Sequence, residues 1–253
     1  MGRRWAAEYH DLFAREDDVV FYSTVSRKAG PQALDIGVGT GRLAIPIARS
    51  GTRVVGIDNS MELLNIAHGK ATSAGGSVTS RMRLLFGDIR DFSLPREDRF
   101  DLAYAASGAY NRCRTRAEMA HALACVRDHL RVGATFAFDL VNVPESVMDG
   151  MPRLDGVAPT EGGGEVVRHI AWRTGPKRGD VEVHSTYEVF DARGRSVERV
   201  AEREMLHMFE PTEIAELLQL GGFEDVDRFS DLKGGRSAGG KDAMAVYLCK
   251  RGP

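Results

Sequence analysis

Cysteine, tryptophan and net charge are all scarce in this chain. Only Cys113, Cys125 and Cys249 occur among 253 residues. Their number is odd, they stand far apart, and no two have the spacing of a metal-binding pair. This excludes a disulfide framework and a cysteine-built zinc module, and no metal site is expected. The thiols read as reduced and mostly buried, in a cytoplasmic protein. Neither sign of charge is in excess: 34 Lys and Arg against 36 Asp and Glu leave a net charge of −2. That removes the general electrostatic argument for nucleic acid or a membrane surface as partner. The alternating Arg112, Arg114 and Arg116 read as a solvated helix start. No apolar run reaches membrane length, and the N-terminus has no signal-peptide apolar region. Met1-Gly2 is followed by Ala6 where a myristoylation signal needs Ser or Thr. Repeats and low-complexity tracts are also missing. What remains is a chain of 27.7 kDa that can bury one substantial core, most simply one domain with an insertion.

The informative stretch is Ala33-Leu34-Asp35-Ile36-Gly37-Val38-Gly39-Thr40-Gly41-Arg42. It reads as a buried strand, a tight glycine turn and the start of a helix over Leu43 to Arg49. A second apolar strand, Thr52 to Ile57, ends on Asp58. This is a βαβ unit with a glycine loop facing a ligand and an acidic residue roughly 20 positions further on, suited to a ribose. Dinucleotides and S-adenosylmethionine both use this layout. A dinucleotide turn needs G-x-G-x-x-G, whose third glycine lets helix and strand approach closely. Here the third glycine, Gly41, comes one residue early, and Arg42 fills the dinucleotide position. Asp35, two residues before the turn, suits a ligand with a cationic amino end better than a pyrophosphate.

The run Asp35-Ile36-Gly37-Val38-Gly39-Thr40-Gly41 resembles motif I of the class I S-adenosylmethionine-dependent methyltransferases, E/D-x-G-x-G-x-G. Further segments match that family in order. Thr52–Ser60 resembles its second strand and acidic turn, Leu84–Phe92 its adenine-contacting G-D-aliphatic segment, and Arg99–Tyr104 its fourth strand. Arg131-Val132-Gly133-Ala134 resembles the turn before its fifth strand, but lacks the usual Pro and second Gly. The resemblance implies an α/β fold: a Rossmann-like, seven-stranded, mostly parallel sheet with strand 7 antiparallel, helices on both faces, and an antiparallel β-meander inserted after strand 5.

Organisation along the chain agrees. Trp5 to Lys28 is amphipathic and reads as helical, with Trp5, Tyr9, Leu12, Phe13, Val20 and Phe21 as its apolar positions. Strands and helices alternate from there to about Val141, which argues for a parallel sheet covered on both faces. Thr115 with Glu118 forms a capping box opening a helix to about Leu130. Asn142 to Gly164 is rich in Pro, Gly and acidic residues and reads as loop. Glu165–Trp172, Val181–Phe190 and Ser196–Phe209 then read as a meander. Pro211 opens a helix closed by Gly221-Gly222. Phe223–Phe229 and Ala243–Leu248 are the last strands, with a glycine-rich loop over Lys233 to Lys241 between them. The expected organisation is a helical cap over 1–30, a cofactor-binding core over 31–141, a loop and β lid or substrate platform over 142–209, and the core's last helix and strands over 210–253. The meander also suits a dimerisation sheet, so a homodimer or higher homo-oligomer is compatible with it.

The resemblance implies residue roles. Gly37, Gly39 and Gly41 let the backbone approach the methionine half of S-adenosylmethionine, and Asp35 acts on its amino end. Asp58 accepts the ribose hydroxyls. Asn59 and Met61 flank the adenine, Asp88 accepts its exocyclic amine, and Ile89 stacks nearby. Ala105 opens the segment that passes beneath the methyl group, and Tyr22 reaches the cofactor carboxylate. Tyr110 and Tyr9 are the candidate catalytic residues: Tyr110 orients the nucleophile or accepts its proton, and Tyr9 hydrogen-bonds the substrate. His207 and His129 are read as structural. The implied activity is methyl transfer to a small molecule, with an amine nitrogen as the acceptor: an amino sugar, an amino acid or an intermediate of specialised metabolism. O- or C-methylation, and a binding module without turnover, share the same motifs. No N-P-P-[FY] signature of nucleic-acid or protein methylation follows the fourth strand.

Overall fold

A computed structural model describes residues 7, 9–95, 97–235 and 242–253. The expected apolar position Trp5, and 236–241 of the glycine-rich loop, lie outside the described residues. The chain divides into two compact units, Met1–Ala14 with Val143–Met208, and Arg15–Asn142 with Phe209–Pro253.

The larger unit is built on a seven-stranded sheet of β1 (Gln32–Ile36), β2 (Arg53–Asp58), β3 (Met82–Phe86), β4 (Phe100–Ala105), β5 (Leu130–Val141), β10 (Phe223–Phe229) and β11 (Met244–Arg251). Their order is β10-β11-β5-β4-β1-β2-β3. β1 pairs in parallel with β2 and β4, whereas β11 runs antiparallel to both β5 and β10. The Rossmann-like sheet with an antiparallel seventh strand is therefore present. One face is covered by the Arg116–His129 and Pro211–Leu220 helices, whose Met119, Leu123, Val126, Leu217 and Leu218 join Phe136 and Phe138 in one apolar cluster. On the other, Ile47, Leu64 and Ala71 of the Ala44–Arg49 and Met61–Ser73 helices pack with Leu102 and Tyr104. Chain reversal at β1 explains the site's location: β2 and β4 leave β1 on opposite sides, so the carboxyl ends of these strands open a crevice.

Local signals fix the helix ends. The Thr115 Oγ accepts the Glu118 N–H at 3.1 Å, and Glu118 Oε2 accepts the Arg114 N–H at 2.7 Å. Pro211 sits in the first turn of its helix, and Gly222, at φ 75°, supplies the left-handed residue just past its end.

The N-terminal expectation needs correction. Trp5 to Lys28 is not one helix: a short 3-10 turn, His10–Phe13, is followed by an extended Ala14 (ψ 151°), and the helix proper is Asp17–Ala29. Its buried stripe is Asp18, Tyr22 and Ser26, while Val20 is 69% exposed. This face is held by hydrogen bonds rather than by apolar packing alone. Ser26 meets Thr52 at 3.2 Å, and the other two residues reach the crevice.

The smaller unit is a four-stranded antiparallel sheet in the order β6-β7-β8-β9. β7 (Glu165–Thr174), β8 (Asp180–Phe190) and β9 (Ser196–His207) are the expected meander. β6 (Arg153–Pro159) corrects the reading of 142–164 as loop throughout. It is an edge strand with a register shift between Leu154 and Gly156, and Leu154 and Val157 are 62% and 53% exposed. A short, bulged, solvent-facing edge bounded by proline gives no alternating apolar pattern to read. Val166, Tyr187 and Val200 form this unit's core, with Tyr9 and Phe13 packed against them.

Candidate functional site

The glycine turn leaves β1 with its backbone in the left-handed region at Gly37 (φ 82°), Gly39 (φ 53°) and Gly41 (φ 78°). Side chains rarely tolerate such values, which is why glycine recurs at alternate positions. The Gly37 and Val38 N–H groups both donate to the Ile57 carbonyl, at 2.8 and 3.0 Å, tying the turn to the end of β2. A Cβ built on Gly41 would lie 3.2 Å from the Ala67 Cβ, so this glycine lets the turn settle on the Met61–Ser73 helix. A Cβ on Gly39 would meet nothing closer than a backbone oxygen at 3.9 Å. Gly39 thus leaves open space against the backbone, as a ligand cradle requires.

Asp58 sits at the tip of β2. Its Oδ2 accepts the Gly39 N–H at 2.9 Å, and its Oδ1 accepts the Ser60 N–H at 2.9 Å. One carboxylate therefore braces the glycine turn and the start of the next helix, while each oxygen keeps further acceptor capacity. Asn59 beside it is exposed, and so is Met61, at 51%.

Asp35 lies within β1 beneath the turn and is 2% exposed. Its Oδ2 has no hydrogen-bond partner among the described residues, and neither has the nearby Tyr104 hydroxyl. Burial pushes the Asp35 carboxyl up to about 7, with Tyr104 opposing and the Asp58 charge adding to the rise. A buried carboxyl with an unmet acceptor beside a glycine cradle fits a cationic ligand group.

At the adenine end expected from sequence, Asp88 accepts the Arg90 Nε–H at 3.0 Å and the Nη2–H at 2.6 Å, and this neighbour holds its carboxyl below the ordinary value. Ile89 is 8% exposed. A cavity of about 400 Å³ opens beside this segment, lined in part by Ile57, Gly87 and Phe92. It includes neither the glycine turn nor Asp58.

Two tyrosines depart from expectation. Tyr22 is fully buried and gives its hydroxyl to Asp139 Oδ2 at 2.7 Å rather than leaving it directed at a ligand, with the Ala105 carbonyl at 3.5 Å. Tyr110 is packed in the core, 0% exposed, with its ring edge-on to Phe136 and Phe138 at 6.2 and 6.0 Å. Its hydroxyl has no hydrogen-bond partner among the described residues, and burial raises the phenol well above 10. A proton acceptor needs access to the nucleophile, and Tyr110 has none here. Tyr9 belongs to the smaller unit, where its hydroxyl donates to Glu198 Oε2 at 3.1 Å. His207 of that unit pairs with the buried Asp180 at 2.9 Å, in keeping with a structural role. His129 likewise accepts the Leu94 N–H at 2.9 Å.

Asp139 and the Asp18–Arg42 pair were not singled out in the sequence. Asp139, on β5, accepts the Ser107 and Gly108 N–H groups at 3.0 and 2.7 Å as well as the Tyr22 hydroxyl. These bonds hold the loop after β4 in a left-handed bend, φ 56° at Ser107 and 65° at Gly108. Arg42 grips the buried Asp18 with both guanidinium nitrogens and donates to the Arg15 carbonyl at 2.9 Å. Only Arg42 carried a local signal, as the residue that breaks the dinucleotide pattern.

A family profile described as a methyltransferase domain matches residues 33–133, from the first residues of β1 to the turn inside β5. This segment is similar to a methyltransferase domain. An uncharacterized methyltransferase of Geobacillus kaustophilus is 34% identical over 90 residues, 36% of this chain and 38% of that protein. The curated relative is thus matched over well under half its length. Solved structures cover nearly the whole chain at lower identity, and so share its fold. An S-adenosylmethionine-dependent methyltransferase from Clostridium acetobutylicum aligns with TM-score 0.79 and 20% identity over 98% of both chains. An amino pentose methyltransferase from Micromonospora echinaspora, solved with S-adenosylmethionine, aligns with TM-score 0.74 and 23% identity over 98% of this chain and 96% of that one. The matched span, 33–133, contains the glycine turn, Asp58, Asp88 and the loop after β4.

Proposed function

We propose that the chain is an S-adenosylmethionine-dependent methyltransferase whose acceptor is the amine nitrogen of a small molecule, in the class of amino sugars, amino acids or natural-product intermediates. The observation that carries the cofactor is the glycine turn: three left-handed glycines at alternate positions, open space at Gly39, and the unmet Asp35 oxygen beneath. The pattern suits a ligand with an amino end, and Arg42, committed to Asp18, stands where a pyrophosphate-binding turn needs glycine. The nitrogen preference is supported by neighbours in fold, among them the amino pentose methyltransferase and a sugar N-methyltransferase from Streptoalloteichus.

In this reading Gly37, Gly39 and Gly41 receive the methionine half and Asp35 its ammonium. Asp58 accepts the ribose hydroxyls through its remaining lone pairs. Asn59, Met61, Asp88 and Ile89 hold the adenine, and Ala105 borders the methyl group. The bound cofactor supplies a methyl group already activated on a sulfonium. The chain's part is to align a neutral amine with it and to exclude water. Asp139 serves this by fixing Ser107 and Gly108, with the Tyr22 hydroxyl donating to it, and Tyr110 acts as a packing residue. Incubating the protein with S-adenosylmethionine and a panel of amino sugars and amino acids, followed by mass spectrometry, tests the reading. A gain of one methyl mass on an amine supports it. Transfer to hydroxyl or carbon acceptors alone would correct the nitrogen assignment, and cofactor binding without transfer to any acceptor would favour a binding module.

A further inference from the structure

A cluster outside the proposed cofactor cradle brings three different donor types together. Asp91 follows the Asp88–Arg90 turn, while His121 and Cys125 are one turn apart on the Arg116–His129 helix. His121 Nε2 lies 3.2 Å from Asp91 Oδ1 and 3.9 Å from Cys125 Sγ, and the three donor atoms all fall within 4.8 Å of one another. Two chemistries use such a set. A nucleophilic relay needs the thiol on one imidazole nitrogen and the carboxylate on the other, so that a proton can pass through the ring. Here the same nitrogen faces both partners, which defeats a relay.

One nitrogen, one carboxylate oxygen and one sulfur converging on a common point is instead the arrangement of a chelate. With metal bonds of roughly 2.0–2.3 Å, tetrahedral geometry sets neighbouring donors about 3.3–3.6 Å apart. The His121–Asp91 and His121–Cys125 separations, 3.2 and 3.9 Å, lie on either side of that range, and all three donors fall within 4.8 Å of one another. We propose that Asp91, His121 and Cys125 form a binding site for a borderline-soft divalent cation, best matched by Zn²⁺, with the remaining position open to water. On binding, the Cys125 S–H bond breaks, its proton passes to solvent, and the sulfur lone pair forms the metal bond, with no change in oxidation state. The sequence could not show this site by cysteine spacing, because its ligands are a histidine and a cysteine four positions apart and an aspartate 30 residues earlier.

The test is titration of the full chain with Co²⁺ as a spectroscopic stand-in, followed by displacement with Zn²⁺. One equivalent of Co²⁺ should give a sulfur-to-cobalt charge-transfer band and tetrahedral d–d absorption, and Zn²⁺ should abolish both. Asp91→Asn, His121→Gln and Cys125→Ser should each weaken binding by at least the roughly 10–100-fold that loss of an outer-shell partner costs at metal sites. Zn²⁺ should also slow alkylation of Cys125 and raise the melting temperature of the parent, but not of Cys125→Ser. Absence of the charge-transfer band, or a band retained in Cys125→Ser because another thiol binds the ion, would overturn the proposal. Circular dichroism on each variant separates ligand loss from misfolding.

Discussion

Asp35→Asn removes a charge from the core while keeping its shape, and the structure gives opposite signs for its effects on stability and on ligand affinity. The parent carboxyl is shifted by burial from 3.8 to about 7. Below about pH 4 it is protonated in both folded and unfolded chains and costs nothing. Between about pH 4 and 7 the unfolded chain gives up this proton while the folded chain keeps it, so stability falls. Above about pH 7 the penalty is complete, on the order of 4 kcal/mol at about 1.4 kcal/mol per pH unit. Asparagine has no proton to release. The ligand-free variant should therefore exceed the parent in stability by up to a few kcal/mol at about pH 8, with the difference vanishing near pH 4. Affinity should move the other way. An ammonium placed against Asp35 favours its ionised form, so parent affinity for S-adenosylhomocysteine should rise from about pH 6 to 8, while the variant's stays low and flat. Urea unfolding of the ligand-free proteins at three pH values, with calorimetric titration at the same values, reads both effects. Parallel stability profiles for the two proteins, or unchanged affinity and pH dependence, would refute the reasoning.

Three other substitutions probe the remaining parts. Asp58→Ala should weaken S-adenosylhomocysteine binding by about 1.5–3 kcal/mol through loss of charge-assisted hydrogen bonds; calorimetry showing full affinity would remove the ribose assignment. Tyr110→Phe should leave turnover within about twofold and stability equal or up to about 1 kcal/mol higher, because it deletes a buried hydroxyl with no partner among the described residues. A tenfold fall in turnover with cofactor affinity intact would return Tyr110 to the catalytic set. Arg42→Ala leaves Asp18, whose side chain is 4% exposed, without its guanidinium, and should cost about 3 kcal/mol in urea unfolding. A loss under about 1 kcal/mol would mean that the pair does not hold the Asp17–Ala29 helix in place.

Features governed by a few neighbouring residues were legible in the sequence. The glycine turn, the acidic end of β2, the Thr115–Glu118 cap and the Pro211 helix all follow from local backbone chemistry, and each is present. Features that depend on distant partners were not. Tyr22 and Asp139 are 117 positions apart, so neither the polar stripe of the Asp17–Ala29 helix nor the brace beneath Ser107 shows as a periodicity. Tyr110 follows the same rule: its loop position suggested an exposed catalytic group, but Phe136 and Phe138 of β5 enclose it. The edge strand β6 lacked a buried face, and with it the alternation by which strands are recognised.

The measurement that bears most directly on the central claim is calorimetric titration with S-adenosylhomocysteine, with NAD as the control. The glycine turn, the open space at Gly39 and the unmet Asp35 oxygen require saturable one-to-one binding of S-adenosylhomocysteine and none of NAD. Binding of NAD alone, or of neither ligand, would contradict the reading of the turn and the residue roles that rest on it.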